Sequence, residues 1–248
     1  MRVDVYFGAA GIAPADVHGR EVAVVDVLRA STTIAVALSN GARNVIPFDS
    51  ADEVITRAKS FERGEILLAG ERKMVAVPGF DLGNSPREFT RDVVEGKSIL
   101  FTTTNGTAAL IAAQGAREAL VASYVNFSPV LATLRAALRT GTDVAIICAG
   151  RDRQFSLEDA ACAGRYVKAL TARSADVALN DAAQATLLVE KRYANAFPRL
   201  FREAEHARAM ADAGFADDLA ICADVDAYPI IPVYSERQIT RLGPERER

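Results

Sequence analysis

Two short stretches carry small polar residues at spacings that suit anion binding. "LRASTT" holds Arg29, Ser31 and Thr32, and "TTTNGT" holds Thr103, Thr104, Asn105 and Gly106. Each follows an apolar run and opens onto an alanine-rich, helix-forming segment. A helix start exposes backbone N–H groups and a partial positive charge, and small residues let an anion reach them. In open α/β sheets, ligands settle beyond the carboxyl ends of the strands, where both stretches fall. Taken singly, such a turn is β-prone threonine plus an ordinary Asn-Gly turn. Two of them, with Arg29 alongside, read as a pair of anion cradles. Neither matches the glycine-rich phosphate loops G-x-x-x-x-G-K-[ST] or G-x-G-x-x-G.

Carboxylates supply the other half of the chemistry. Asp26 closes the apolar run "EVAVV", where a buried charge needs a cation or metal partner. The segment "GERKMVAVPGFDLGNSPREF" sets Glu71, Arg72, Lys73, Asp81, Asn84, Ser85 and Arg87 among Gly and Pro. It reads as an irregular polar loop, and so long a loop inside a compact domain points to function. "CAGRDRQFSLEDAACAG" puts Cys148 at a strand end and Glu158 and Asp159 in the first turn of a helix. Cys148 reads as a small buried hydrophobe, and its spacing to Arg153 is one short of the C-x5-R phosphatase loop. Glu158 and Asp159 suit the helix dipole behind Ser156 as N-cap. His18 and His206 stand far apart, which argues against a His-cluster zinc site and a Ser-His-Asp triad.

Elements able to position these groups follow from the pattern. Apolar runs at "EVAVV", "RNVIPF", "EILLAG", "SILFT", "EALVAS" and "DVAIICAG" alternate with helical segments. The expected helix starts are Ser31, Ser50 with Glu53 completing a capping box, the "GTAAL" segment, Ser128 with Pro129 at the first position, and Ser156. Further helices are expected between Ala182 and Ala213, then two short apolar segments, "LAICA" and "IIPVY". Alternation of this kind implies βαβ units and a largely parallel or mixed sheet covered on both faces. There is also an internal echo. At one constant offset Ser31 falls on Asn105, Thr33 on Thr107, and Gly41-Ala42-Arg43 on Gly115-Ala116-Arg117. That predicts a βαβ repeat.

The chain has 248 residues, 50% of them hydrophobic. That suits one α/β domain over 1–248, or two similar lobes. Net charge is -3 with the signs interspersed, so no nucleic-acid partner is expected. No apolar run approaches a membrane span and the N-terminus is no signal peptide, so a cytoplasmic protein is expected. A homo-oligomer stays open. The three cysteines, odd in number and without metal spacing, should be free thiols. The tail at 243–248, "GPERER" from Gly243, should be disordered.

"VVDVLRASTTI", "GERKMVAVPGFDLGNSP", "FTTTNGT" and "CAGRDRQFSLEDAACAG" occur in order, and together they closely resemble segments of the 2-phosphosulfolactate phosphatase family. The resemblance runs from about Glu21 to Val233. Lys73-Met74 stands where a Gly or small residue is expected. The resemblance implies a three-layer α/β/α fold and a Mg²⁺-dependent phosphatase. Its substrate would be the small anionic ester 2-phospho-3-sulfolactate, in a step towards coenzyme M. Mg²⁺ takes one or two carboxylates, with waters and phosphate oxygens. Asp26 leads as metal ligand or nucleophile, then Glu71 and Asp81, then Glu158 and Asp159. Arg29 and Arg72 suit bidentate anion clamping. Ser31, Thr32, Asn84, Ser85, Thr103, Thr104, Asn105 and Gly106 would bind phosphate or substrate. Two alternatives remain: an acid phosphatase for another phosphorylated hydroxy acid, and an anion-binding protein without catalysis.

Overall fold

The computed structural model describes residues 1–62, 64–152, 154–172 and 176–243; Arg153 and most of the tail lie outside them. Among the described residues the strands are β1 (Arg2–Tyr6), β2 (Glu21–Val25), β3 (Asn44–Pro47), β4 (Ile66–Arg72), β5 (Val75–Ala76), β6 (Ser98–Thr102), β7 (Glu118–Ala122), β8 (Val144–Cys148), β9 (Ala178–Leu179), β10 (Pro232–Ser235) and β11 (Gln238–Arg241). The helices are α1 (Pro14–Val17), α2 (Ala30–Ser39), α3 (Ala51–Ala58), α4 (Arg91–Val94), α5 (Gly106–Ala112), α6 (Phe127–Arg139), α7 (Leu157–Thr171), α8 (Asp181–Tyr193), α9 (Phe197–Glu203), α10 (Glu205–Asp212) and α11 (Ala216–Ala223).

The strands form one sheet in the order β5-β4-β6-β3-β11-β10-β7-β2-β8-β1-β9. Strand residues alternate between its faces, so two cores form. Ala23, Val25, Leu120, Ile146 and Cys148 pack with Leu134 of α6, Tyr166 of α7 and Met210 of α10. Val22, Val24, Val121, Ala145 and Ile147 pack on the other side with Ile34 of α2 and Leu110 of α5. This is the three-layer α/β/α arrangement. Residues Ala30–Leu38 of α2 are all buried, the hydroxyls of Ser31, Thr32 and Thr33 being hydrogen-bonded to backbone carbonyls.

Two parallel blocks, β7-β2-β8-β1-β9 and β3-β6-β4, are joined by the β10–β11 hairpin. The three pairings across that hairpin are antiparallel, so the blocks run in opposite senses. In a flat sheet their carboxyl ends would lie on opposite edges. They meet instead: a Cβ on Gly106 would lie 2.7 Å from the Ala30 Cβ and 2.8 Å from Asp26 Oδ2. Twist accumulated across the intervening strands brings the two edges together, and only glycine fits the contact.

The sequence echo is a structural repeat. Its copies are β2–α2–β3 and β6–α5–β7, and their strands pair with one another: β2 with β7, and β3 with β6. Gly41 and Gly115 both take positive φ, 94° and 89°, in the turns that follow α2 and α5. The following Arg43 and Arg117 donate their N–H groups to Lys97 O and Arg20 O, the residues just before the partner strands.

Several expected boundaries move. Ser31 sits inside α2, with Arg29 at the cap position. Helix α6 begins at Phe127 behind Asn126, not behind Ser128. The expected long loop is partly ordered: β4 runs on to Arg72 and turns back as β5, and α4 follows. Ser50 and Ser156 cap as expected, accepting from the N–H groups of Glu53 and Asp159. All three cysteines are free and buried.

At the far end of the sheet Glu21 faces Glu118 across the β2–β7 register. Burial, then the Glu118 charge, push the Glu21 carboxyl from 4.5 up to about 7. The fold therefore holds a proton that the unfolded chain has released. Stability is expected to fall as pH rises from 4.5 to about 7, and to stay low above that. Glu21→Gln should recover about 1–2 kcal/mol at pH 8, after allowance for water access, and little at pH 5. Thermal melts at both pH values check this; an unchanged melt at pH 8 would refute it.

Candidate active site

Strand β2 delivers Asp26 into a turn closed on itself. The Asp26 N–H donates to Ser31 Oγ at 3.0 Å, and its Oδ1 accepts from the Ala30 N–H at 3.1 Å. Its carbonyl accepts from the Ser31 N–H at 2.9 Å. The first expected cradle is thus filled by the protein's own carboxylate. Ser31 and Thr32 brace it: their hydroxyls donate to Val24 O and Val27 O, and Thr32 also pairs with Ser123. Both are buried and face no ligand space.

Arg29 is committed as well. Nη1 donates to Asp218 Oδ2 at 2.8 Å, Nη2 to Met74 O at 3.2 Å, and the guanidinium stacks 4.2 Å over Phe215. Asp218 also accepts from Ser85 Oγ at 2.7 Å. Arg29 borders the cleft with its polar end tied down, so it is a buried strut and not a free anion clamp. Ser85 serves the same strut and does not line the cleft. Arg72, expected as a second clamp, donates to Glu71 O, Asp49 O and Thr102 Oγ1, away from the cleft. Asp81 is exposed and takes the Leu68 N–H at 2.8 Å, bracing β4 outside the cleft.

Glu71 holds the second turn in place. Its Oε1 accepts from the Thr104 N–H and its Oε2 from the Met74 N–H, both at 2.7 Å. Asn105 Oδ1 takes the Asp152 N–H at 3.0 Å. Two buried oxygens nearby, Asn84 Oδ1 and Thr103 Oγ1, have no partner among the described residues. Desolvating such atoms without a bond is costly, so both remain open to a partner.

A cleft of about 320 Å³ gathers these groups: Asp26, Arg29, Glu71, Asn84, Thr103, Thr104 and Asn105, with Lys73, Arg151, Asp152 and His206. His206 is the residue that sequence reasoning passed over. Its Nδ1 lies 3.1 Å from Glu158 Oε1. Glu158 is therefore turned to a histidine. Asp159 stitches strand ends, taking the Val27 N–H at 2.8 Å and the Gly150 N–H at 3.0 Å. Neither lines the cleft. Burial pushes the Asp26 carboxyl up to about 6, against the opposing pull of His206. Burial also pushes Asp159 well up, helped by the Asp26 and Glu158 charges. Cys148 is buried and its thiol pushed well up by burial, then by Asp159, so it is an inert packing group. The C-x5-R comparison involved Arg153, outside the described residues.

The donor set suits a hard cation. Asp26 Oδ2 has no hydrogen-bond partner among the described residues, and the residues that carry the two orphaned oxygens, Asn84 and Thr103, line the same cleft. Among the described residues no three His, Cys, Asp or Glu side chains converge as a metal cage. One carboxylate with neutral oxygens is the donor pattern of Mg²⁺, which keeps waters and substrate oxygens in its shell.

Known proteins are similar to this chain in sequence. A protein of Symbiobacterium thermophilum named "Probable 2-phosphosulfolactate phosphatase" is 41% identical over 232 residues, 93% of this chain and 98% of that one. Proteins of the same name from Caldanaerobacter subterraneus subsp. tengcongensis and Clostridium beijerinckii are 37% and 34% identical, over 88% and 97% of this chain and 88% and 99% of theirs. The family model described as 2-phosphosulpholactate phosphatase matches residues 10–237, which take in the Asp26 turn, the β4–β5 segment, the "TTTNGT" turn and His206. The chain belongs to the 2-phosphosulpholactate phosphatase family.

Proposed function

We propose that the protein hydrolyses 2-phospho-3-sulfolactate to 3-sulfolactate and phosphate with Mg²⁺. Family membership supports the reaction, and one structural observation supports the metal. Asp26, Asn84 and Thr103 line a single polar cleft, and each has a side-chain oxygen with no hydrogen-bond partner among the described residues. Asp26, Asn84 and Thr103 would hold the ion. Bound there, it would neutralise charge on the phosphoryl oxygens. Lys73 and Arg151 line the same cleft, and their charges would receive the carboxylate and sulfonate groups. Glu71 ties the "TTTNGT" turn to the β4–β5 turn, accepting from the Thr104 and Met74 N–H groups, so the site needs little reorganisation. The link to coenzyme M and a cytoplasmic setting rest on resemblance. Among the described residues no helix is long and apolar enough to cross a membrane.

Phosphate release from 2-phospho-3-sulfolactate is expected to fall to background with EDTA and to return with millimolar Mg²⁺. Full turnover by metal-free protein would overturn the metal reading. Faster turnover of another phosphorylated hydroxy acid in a substrate panel would replace the substrate but keep the reaction. Binding of these esters without turnover would leave an anion-binding protein.

A further inference from the structure

His206 and Glu158 form a pair for which the metal-assisted reading has no use. They come from different elements, α10 and α7, 48 residues apart. The Glu158 side chain is 2% exposed and that of His206 13%. Among the described residues His206 is the only hydrogen-bond partner of the Glu158 carboxylate. A buried carboxylate needs such a partner. Accepting from Nδ1, Glu158 fixes the ring's orientation and leaves Nε2 as the nitrogen available to the cleft that His206 lines. Carboxylate–imidazole pairs of this kind hold a histidine for proton transfer.

Other charges around His206 are already assigned. Asp26 and Glu71 belong to the facing turns, and Lys73 lines the cleft mouth. Arg151 pairs with Glu205 at 3.1 Å, beside His206 on its own helix. None of these lysine and arginine groups gives up a proton readily. Alkyl phosphate esters leave as poor, strongly basic alkoxides, so their hydrolysis profits from a proton donor.

We infer that His206 is the general acid of this site, protonating the ester oxygen as the P–O bond breaks, with Glu158 as its positioning residue. The inference rests on the proposed phosphatase reading. In the step, a water oxygen bonds to phosphorus and the bond from phosphorus to the hydroxy-acid oxygen breaks. That oxygen takes the Nε2 proton of the doubly protonated ring. The proton shed by the attacking water restores the ring, so the products are the free hydroxy acid and hydrogen phosphate.

The test is the dependence on leaving group. His206→Gln should lose ~100-fold or more in kcat on 2-phospho-3-sulfolactate, the range for a lost general acid. On phosphoenolpyruvate and p-nitrophenyl phosphate, whose leaving groups need little or no proton, it should lose under ~10-fold. Glu158→Gln should show the same selectivity with a smaller loss. Circular dichroism and melting curves confirm that both variants are folded. Equal losses on all three esters would overturn the inference while leaving the phosphatase reading intact. Native protein that releases phosphate from none of them would overturn both.

Discussion

Arg29→Ala is expected to destabilise the fold by about 3–5 kcal/mol, the cost of stripping one partner from a buried ion pair. The side chains of Arg29 and Asp218 are 2% and 1% exposed. Without Arg29, the Asp218 carboxylate keeps, among the described residues, only the Ser85 hydroxyl. The loss is a large share of the 5–15 kcal/mol that holds a typical domain together. Arg29→Lys should recover part of it. An ammonium can meet Asp218 but cannot also reach Met74 O and stack on Phe215. Urea unfolding midpoints measure this. From the sequence, Arg29 is a substrate clamp, and its replacement should spare stability while lowering activity. The buried pair with Asp218 reverses that expectation. A folded, fully stable but inactive Arg29→Ala would return Arg29 to the clamp.

What the sequence could disclose was local. Strand–helix alternation, the Ser50 and Ser156 caps and the repeated Gly-Ala-Arg all depend on neighbours a few residues apart, and all appear in the fold. Strands β1 and β11 are not among the expected elements. Strand β1 carries Asp4 in its middle, which breaks the apolar run; Arg2 of the same strand and the distant Arg20 neutralise it. Strand β11 has a single apolar residue, Ile239, and exists because β10 and β3 flank it. The site divides the same way. Asp26 and the "TTTNGT" turn were legible because each is a strand end beside a helix start. The roles of Arg29, Ser85 and Glu158 were not. Their partners lie 189, 133 and 48 residues away, and no local pattern reports such pairings. The distance between His206 and His18 argues against a histidine cluster, yet the partner of His206 is a carboxylate. Its only sequence signal was a lone histidine on a charged helix.

Asp26→Asn is expected to lower kcat by ~100-fold or more, the scale for removing a catalytic group or a metal-holding carboxylate. The same change should raise the melting temperature of metal-free protein. Asn keeps an oxygen for the Ala30 N–H, so the turn that Oδ1 now closes survives. What it removes is charge. Burial pushes the Asp26 carboxyl from 3.8 up to about 6, so at neutral pH the fold carries an ionised group that it disfavours. For an acid shifted upward, stability falls as pH rises from the unfolded to the folded value. The gain from Asn should therefore be present at pH 7.5 and vanish near pH 4. A site that sacrifices stability for a charged group is expected where function needs that group. Cys148→Ala is the contrasting case: it should keep most activity and lose some stability, because the thiol is buried packing at the end of β8. An active Asp26→Asn beside a folded but inactive Cys148→Ala would replace metal-assisted hydrolysis with a cysteinyl-phosphate route.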